Sequence, residues 1–225
     1  VIDARCLSPA AVLSGLLLLS AVPAAGAPRV EMLAGTMQCD FMAWASFGAK
    51  APVAVRAEPA PDAKLLGYLP VWSPAHEERP NVEFDVVAAR AGWLKIDPVA
   101  DPVELDADGR PLPLRSVPQG AGWIAAEAAQ VGIQSAIGYA GPDADSAVIV
   151  DLGDEWLTDM GTLEAIRGCA GPWLLIEYKL VRSRSATGAL LDLPVKTQKK
   201  GAAWFRGICS NQVTACDQRS VDQRK

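Results

Sequence analysis

Alternation of apolar and polar positions is the dominant pattern in this chain, and it predicts short strands. Val53 and Val55 flank Ala54 and precede Arg56, and the prolines Pro59 and Pro61 then end the run in a loop. Leu65-Leu66-Gly67-Tyr68-Leu69 reads as a second short strand. Val82-Glu83-Phe84-Asp85-Val86-Val87 alternates cleanly, Ala91-Gly92 forms a turn, and Trp93-Leu94-Lys95-Ile96 returns until Pro98 stops it. Asp108-Gly109 centres a hairpin in the following insert, and Trp123-Ile124-Ala125 makes the last strand of this set. A second set follows: Ala147 to Val150, Gly161 to Ile166, Trp173 to Val181, and a strand opening near Trp204. A loop carrying Asp154-Glu155-Trp156 lies between the first two of these.

The two sets share a spacing. Trp93 and Trp173 are 80 residues apart, Trp123 and Trp204 are 81 apart, and Pro61-Asp62-Ala63 and Leu112-Pro113 recur as Pro142-Asp143-Ala144 and Leu193-Pro194 at 81. Anchors recurring in one order indicate an internal duplication. Five short strands per copy, with loops of unequal length, predict an all-β chain of two small barrels, each closed on itself. The expected boundaries are 51–127 and 128–216, after a lead-in over 28–50 and before a flexible tail over 217–225. In the lead-in, Phe41, Trp44 and Phe47 recur every three residues, but Gly48 and Pro52 bound them closely, so an arm packed on the first copy is expected instead of a helix.

Composition adds to this picture. Of 225 residues, 19 are Gly and 17 Pro, which favours turns over long helices. The net charge of −5 lacks the basic face that a phosphate backbone needs, so nucleic acid is not an expected partner. Residues 1–27 read as a cleaved signal peptide: Arg5 precedes the apolar run from Ala10 to Val22, and the small residues Ala24, Gly26 and Ala27 offer alternative cleavage points. The run of about 13 residues is short of the roughly 20 that cross a bilayer, so an uncleaved anchor is the weaker reading and no membrane span is expected in the mature chain.

Beyond Cys6 in that leader, Cys39, Cys169, Cys209 and Cys216 form an even set, the mark of disulfides in an exported chain. If Trp173 and Trp204 open two neighbouring antiparallel strands, Cys169 and Cys209 lie at one end of the pair. That favours Cys169 with Cys209 and Cys39 with Cys216, with a local Cys209–Cys216 bridge as the competitor. No Cys-x-x-Cys spacing supports a redox centre.

The residues Val55, Arg56, Pro59, Gly67, Leu69, Gly92, Trp93, Gly122 and Trp123, in this order, resemble the bacterial SH3 domain family of small barrels on exported proteins. The likeness covers about residues 51–127. The second copy matches through its spacing and tryptophans, with Ile137 where Arg56 would fall and Pro172 and Ala203 in place of glycines. The resemblance implies two tandem SH3-like barrels that engage cell-wall peptide, peptidoglycan or an envelope protein. A sister group of modules binds anionic wall polymers through basic surfaces, and the acidic balance here disfavours that mode.

Candidate chemistry is sparse. His76 is the sole histidine, so a histidine-rich metal site is excluded by count, and a loop histidine is the expected reading. Glu104, Asp106, Asp108 and Gly109 imitate the opening of a calcium loop, but Arg115 stands at the twelfth position, where a cation cannot coordinate. The acids Asp143, Asp145, Asp151, Asp154, Glu155 and Asp159 read as solvated loop residues without a cleft to hold a sugar between them. The four repeated tryptophans are expected in the cores. Tyr68, Trp72 and Trp156 at loop edges, with Arg56 as a polar rim, are the ligand candidates. The basic insert from Arg182 to Lys200 reads as a solvated hairpin, with anionic contact as the alternative. The expectation is a periplasmic or secreted, non-enzymatic binding module without cofactor or metal; the alternative is a structural or protein-interaction element of a periplasmic assembly.

Overall fold

The computed structural model describes residues 28–46, 51–70, 79–212, 216, 221 and 222. Residues 1–27, read as a signal peptide, and Trp72 and His76 lie outside the described residues. The chain is predominantly β. Its strands are β1 (Met37–Ala45), β2 (Val53–Arg56), β3 (Leu65–Leu69), β4 (Glu83–Arg90), β5 (Trp93–Ala100) and β6 (Gly122–Ala125). A 3-10 turn over Ala126–Ala128 leads to β7 (Ala129–Gln130), β8 (Gly132–Ile133), β9 (Ile137–Tyr139) and β10 (Val148–Asp151). One helical turn, α1 (Leu157–Met160), precedes β11 (Gly161–Ala170), β12 (Trp173–Leu180), β13 (Arg182–Arg184), β14 (Leu190–Asp192), β15 (Lys199–Phe205) and β16 (Ile208–Cys209).

The first sheet has the order β3-β2-β6-β5-β4-β1-β7 and the second β10-β9-β15-β12-β11. Five strands of the first sheet repeat the order of the second, and the register repeats as well. Leu94 faces Ile124 and Lys95 faces Trp123, just as Leu174 faces Phe205 and Leu175 faces Trp204. A bulge between Val86 and Ala88 recurs between Ile166 and Gly168.

Neither sheet closes into a barrel, which corrects the expectation of closed units. The first sheet curls nonetheless. From Ala125 to Ala129 the chain passes from the third strand position to the seventh. Four interstrand steps span about 19 Å in a flat sheet, and four residues reach at most about 14 Å. The strands therefore bend round, leaving both edges without a partner strand. Pro98 does not end β5, because the register shift between Phe84 and Val86 places it within a bulge of β5, where no ladder bond is needed.

The lead-in, expected as an arm packed on the first copy, forms a strand. β1 pairs with β4 on one side and β7 on the other. Ahead of it, Val30 and Leu33 cover the second sheet's cluster of Tyr139, Trp173, Leu175 and Trp204, and the Trp204 indole N–H donates to the Glu31 carbonyl at 2.8 Å. One core then runs through both halves, from Phe41, Phe84 and Ile96 to Ile166, Leu174 and Phe205.

The disulfides are Cys39–Cys169 and Cys209–Cys216, with Cα separations of 5.6 and 5.4 Å. The favoured pairing of Cys169 with Cys209 and Cys39 with Cys216 is overturned, and the local bridge stands. The chain leaves β15 at Phe205, and Cys209 lies on β16, paired with β8 outside the second sheet. Cys169 on β11 sits beside β1 instead, where its sulfur also meets the Gln38 carbonyl at 3.3 Å and Cys39 is in reach. Asp222, within the stretch expected to be a flexible tail, is buried and holds Arg206 and Ser135.

The Gly122 and Ala203 positions show how the copies diverged. A Cβ on Gly122 would lie 2.3 Å from Val55 Cγ1. Ala203 holds the equivalent place in the second sheet, and there the facing strand supplies Gly138, where a Cβ would come within 2.7 Å of the Ala203 Cβ. The small residue has changed strands while the close crossing is kept.

Gly122→Ala is expected to cost about 1–3 kcal/mol by overpacking. Val55→Ala in the same chain should relieve part of it, so urea denaturation of the two single variants and the double should show clear non-additivity. Among the disulfides, Cys39–Cys169 encloses a 130-residue separation and Cys209–Cys216 only 7. Loop-closure entropy gives about 5 kcal/mol for the first and about 2 kcal/mol for the second. Denaturation of C39S/C169S and C209S/C216S chains checks that ranking.

Candidate functional site

Among the described residues, the ligand candidates Tyr68, Arg56 and Trp156 do not converge. Tyr68 stands on β3, the edge of the first sheet, and is 52% exposed. Arg56, at the end of β2, donates from Nη1 to the Ala63 carbonyl at 2.8 Å and so braces its own loop instead of offering a free rim. Trp156 is half-buried just before α1, where its carbonyl accepts from the Asp159 and Met160 amides. It lines a cleft that neither Tyr68 nor Arg56 reaches.

Trp123, Trp173 and Trp204 are buried and Trp93 is half-buried. Trp173 meets Tyr139 edge to face at 5.4 Å, and the Arg206 guanidinium lies 5.3 Å from its ring centre. Asp222 accepts from Arg206 and from the Ser135 hydroxyl. Burial, reinforced by the charge of Asp222, raises the Tyr139 phenol above its ordinary range.

The other motifs resolve into local structure. Asp106 accepts from the Asp108 and Arg110 amides, closing the hairpin turn around Gly109. Arg115 is nearly buried and pairs with Asp101, which also binds Arg79, a buried charge cluster that spacing did not reveal. In the β13–β14 hairpin, Arg182 pairs with Asp192, and Arg184 pairs with Glu155. No group of three His, Cys, Asp or Glu among the described residues could hold a metal. No described helix is long and apolar enough to cross a membrane.

The cleft that Trp156 lines has a volume of about 660 Å³ and lies where the two halves meet. β1 and β7 supply Trp44 and Gln130, the following stretch supplies Ile133, and α1 with β11 supplies Thr158, Leu163 and Glu164. Trp44 is 8% exposed, and its indole N–H is buried without a hydrogen-bond partner. On β1 the residues Phe41, Ala43 and Ala45 are buried in the shared core, so Trp44 projects to the opposite face. It is buried as well because the second half covers that face. Its partner across the ladder, Gln130, donates to the Leu163 carbonyl at 3.1 Å and ties β7 to β11. Gln212 bonds Asn81 in both directions and reaches Glu83. Trp44, Gln130 and Gln212 were not among the ligand candidates. Trp44 carried a signal, an aromatic within an alternating stretch, which the three-residue spacing of Phe41, Trp44 and Phe47 obscured.

Glu164 is one of the charged groups lining the cleft, with Asp159 and Lys179. The hydrogen bond from Lys200 at 3.0 Å, opposed by burial and aided by Lys179, holds its carboxyl below the usual glutamate range. Its contribution to stability is complete above that usual range and is lost as pH falls through the lowered value. Lys200→Ala should move the Glu164 titration upward, read by carboxyl NMR, and weaken the acid-side dependence of stability. No protein-family model, no curated protein and no solved structure matches the chain, so the geometry of the cleft is what bears on its role.

Proposed function

We propose that the chain is an exported, non-enzymatic binding module built from two divergent SH3-like units, which engages cell-wall or envelope components, a peptide or peptidoglycan. The cleft between the halves is the observation that carries this reading. It sets two indoles, from Trp44 and Trp156, among apolar and amide side chains, the composition of a pocket for an uncharged or weakly charged ligand. Two disulfides suit an oxidising compartment outside the cytoplasm, in keeping with the leader read in residues 1–27. Open sheets take the place of closed barrels in this reading.

A second reading, a structural or protein-interaction element of a periplasmic assembly, draws on the β3 edge. Leu65, Leu66 and Tyr68 are exposed there on a strand with one unpaired side, a surface that can add a partner strand.

The full chain should be retained on purified wall material, and retention should persist in added salt because the chain is acidic and its cleft is largely uncharged. Absence of retention would overturn the binding-module reading. Cross-linking to an envelope protein without wall retention would favour the assembly element.

A further inference from the structure

Each half carries one insert before its last long strand, between β5 and β6 in the first and between β12 and β15 in the second, and each insert folds into a small hairpin of its own. We infer that the first insert of one chain docks on the second insert of another copy, so that the chain associates with itself through its two hairpins. Over 103–114 the first insert sets three acids, Glu104, Asp106 and Asp108, against one base, Arg110. Over 182–200 the second sets five bases against one acid, Asp192. Internal pairing sharpens the contrast. Asp108 meets Arg110, which leaves Glu104 and Asp106 without a basic partner among the described residues. Arg182 meets Asp192, Arg184 meets Glu155 and Lys200 meets Glu164, which leaves Lys196 and Lys199 without an acidic one.

Exposed apolar side chains lie among these charges. Val103, Leu105 and Leu114 on the first insert and Leu190, Leu191 and Val195 on the second are between 40% and 82% exposed, so neither insert covers the other within one chain. Cross-strand register sets Leu191 opposite Ser183, on the face turned away from Arg182 and Arg184. Those two arginines lean on Asp159 and Glu155, so Leu191 points away from α1. Burial of such residues drives association, and opposed charges around them fix which surfaces meet. A two-fold pair satisfies both inserts of both chains at once. Other occupants fit less of this surface. An anionic membrane or wall polymer suits the lysines but is repelled by the first insert and leaves its apolar residues uncovered. Single-stranded nucleic acid stacks on aromatic side chains, and 182–200 contains none. Neither insert lines the cleft, so this contact and the ligand site are separate.

The test follows self-association of the full, oxidised chain by sedimentation equilibrium. A concentration-dependent dimer is expected, weakened about tenfold between about 0.01 M and about 1 M salt, where the screening length falls from about 30 Å to about 3 Å. E104K/D108K puts unpaired bases on both inserts, and K196E/K199E puts unpaired acids on both. Either variant alone should lose association by about a hundredfold. Mixed one to one, the two variants present complementary inserts again and should associate within about tenfold of the unsubstituted chain. L191S/V195S leaves every charge in place and should weaken the dimer about tenfold, and it keeps the test decisive if a charge variant fails to fold. The inference is overturned if the unsubstituted chain is monomeric throughout, if its association ignores these substitutions, or if the mixture stays monomeric. Capture of the monomer by phosphatidylglycerol vesicles through Lys196 and Lys199, without self-association, also overturns it. Wall retention should be equal in all of these chains, so its failure bears on the binding-module reading alone.

Discussion

Strand β1 hydrogen-bonds to β4 and β7 within the first sheet while its Cys39 is bonded to Cys169 on β11 of the second. Met37 lies against Gly168, where a Cβ would come 2.9 Å from the Met37 sulfur, so the two strands approach closely beside the crosslink. This contact joins two sheets that would otherwise each expose an apolar face. Residues 30–33 extend the link by covering Trp173 and Trp204 before the chain enters β1. The lead-in therefore serves both halves, and the shared core follows from its position.

The two halves preserve register more faithfully than sequence. The β4–β5 hairpin and its counterpart β11–β12 keep the same bulge, and their central pairs fall at equivalent places. A bulge increases local twist, and that twist sets how a sheet curls over its core. The exchange of Val55 and Gly122 for Gly138 and Ala203 shows what is constrained. The close approach of two strands must be kept, and either strand can supply the missing side chain. A glycine pattern taken from one copy therefore understates the likeness of the other.

The cleft is a product of the seam. Its walls come from β1, β7, α1 and β11, which belong to no single repeat, and the Gln130 bond to Leu163 fixes their spacing. Trp44 is buried there by a contact between distant parts of the chain. Several acids and bases are engaged with one another across the structure. Arg184 meets Glu155, Arg115 meets Asp101, and Lys200 meets Glu164.

Alternating apolar positions and tryptophan-centred turns were enough to predict an all-β chain, the pairing of β4 with β5, and two comparable sets of strands. These features are local, or repeat at a fixed spacing, and so leave a direct trace in residue order. Disulfide partners, sheet closure and the cleft leave no such trace. Cys39 and Cys169 are 130 residues apart, and only the packing of β1 against β11 brings them together. Trp156 was legible as a loop-edge aromatic, whereas Trp44 was hidden because its environment is built by the other half of the molecule. Residue order determined which strands form and which faces are apolar; only tertiary packing decided which of those faces meet, because that depends on how the curled sheets cover one another.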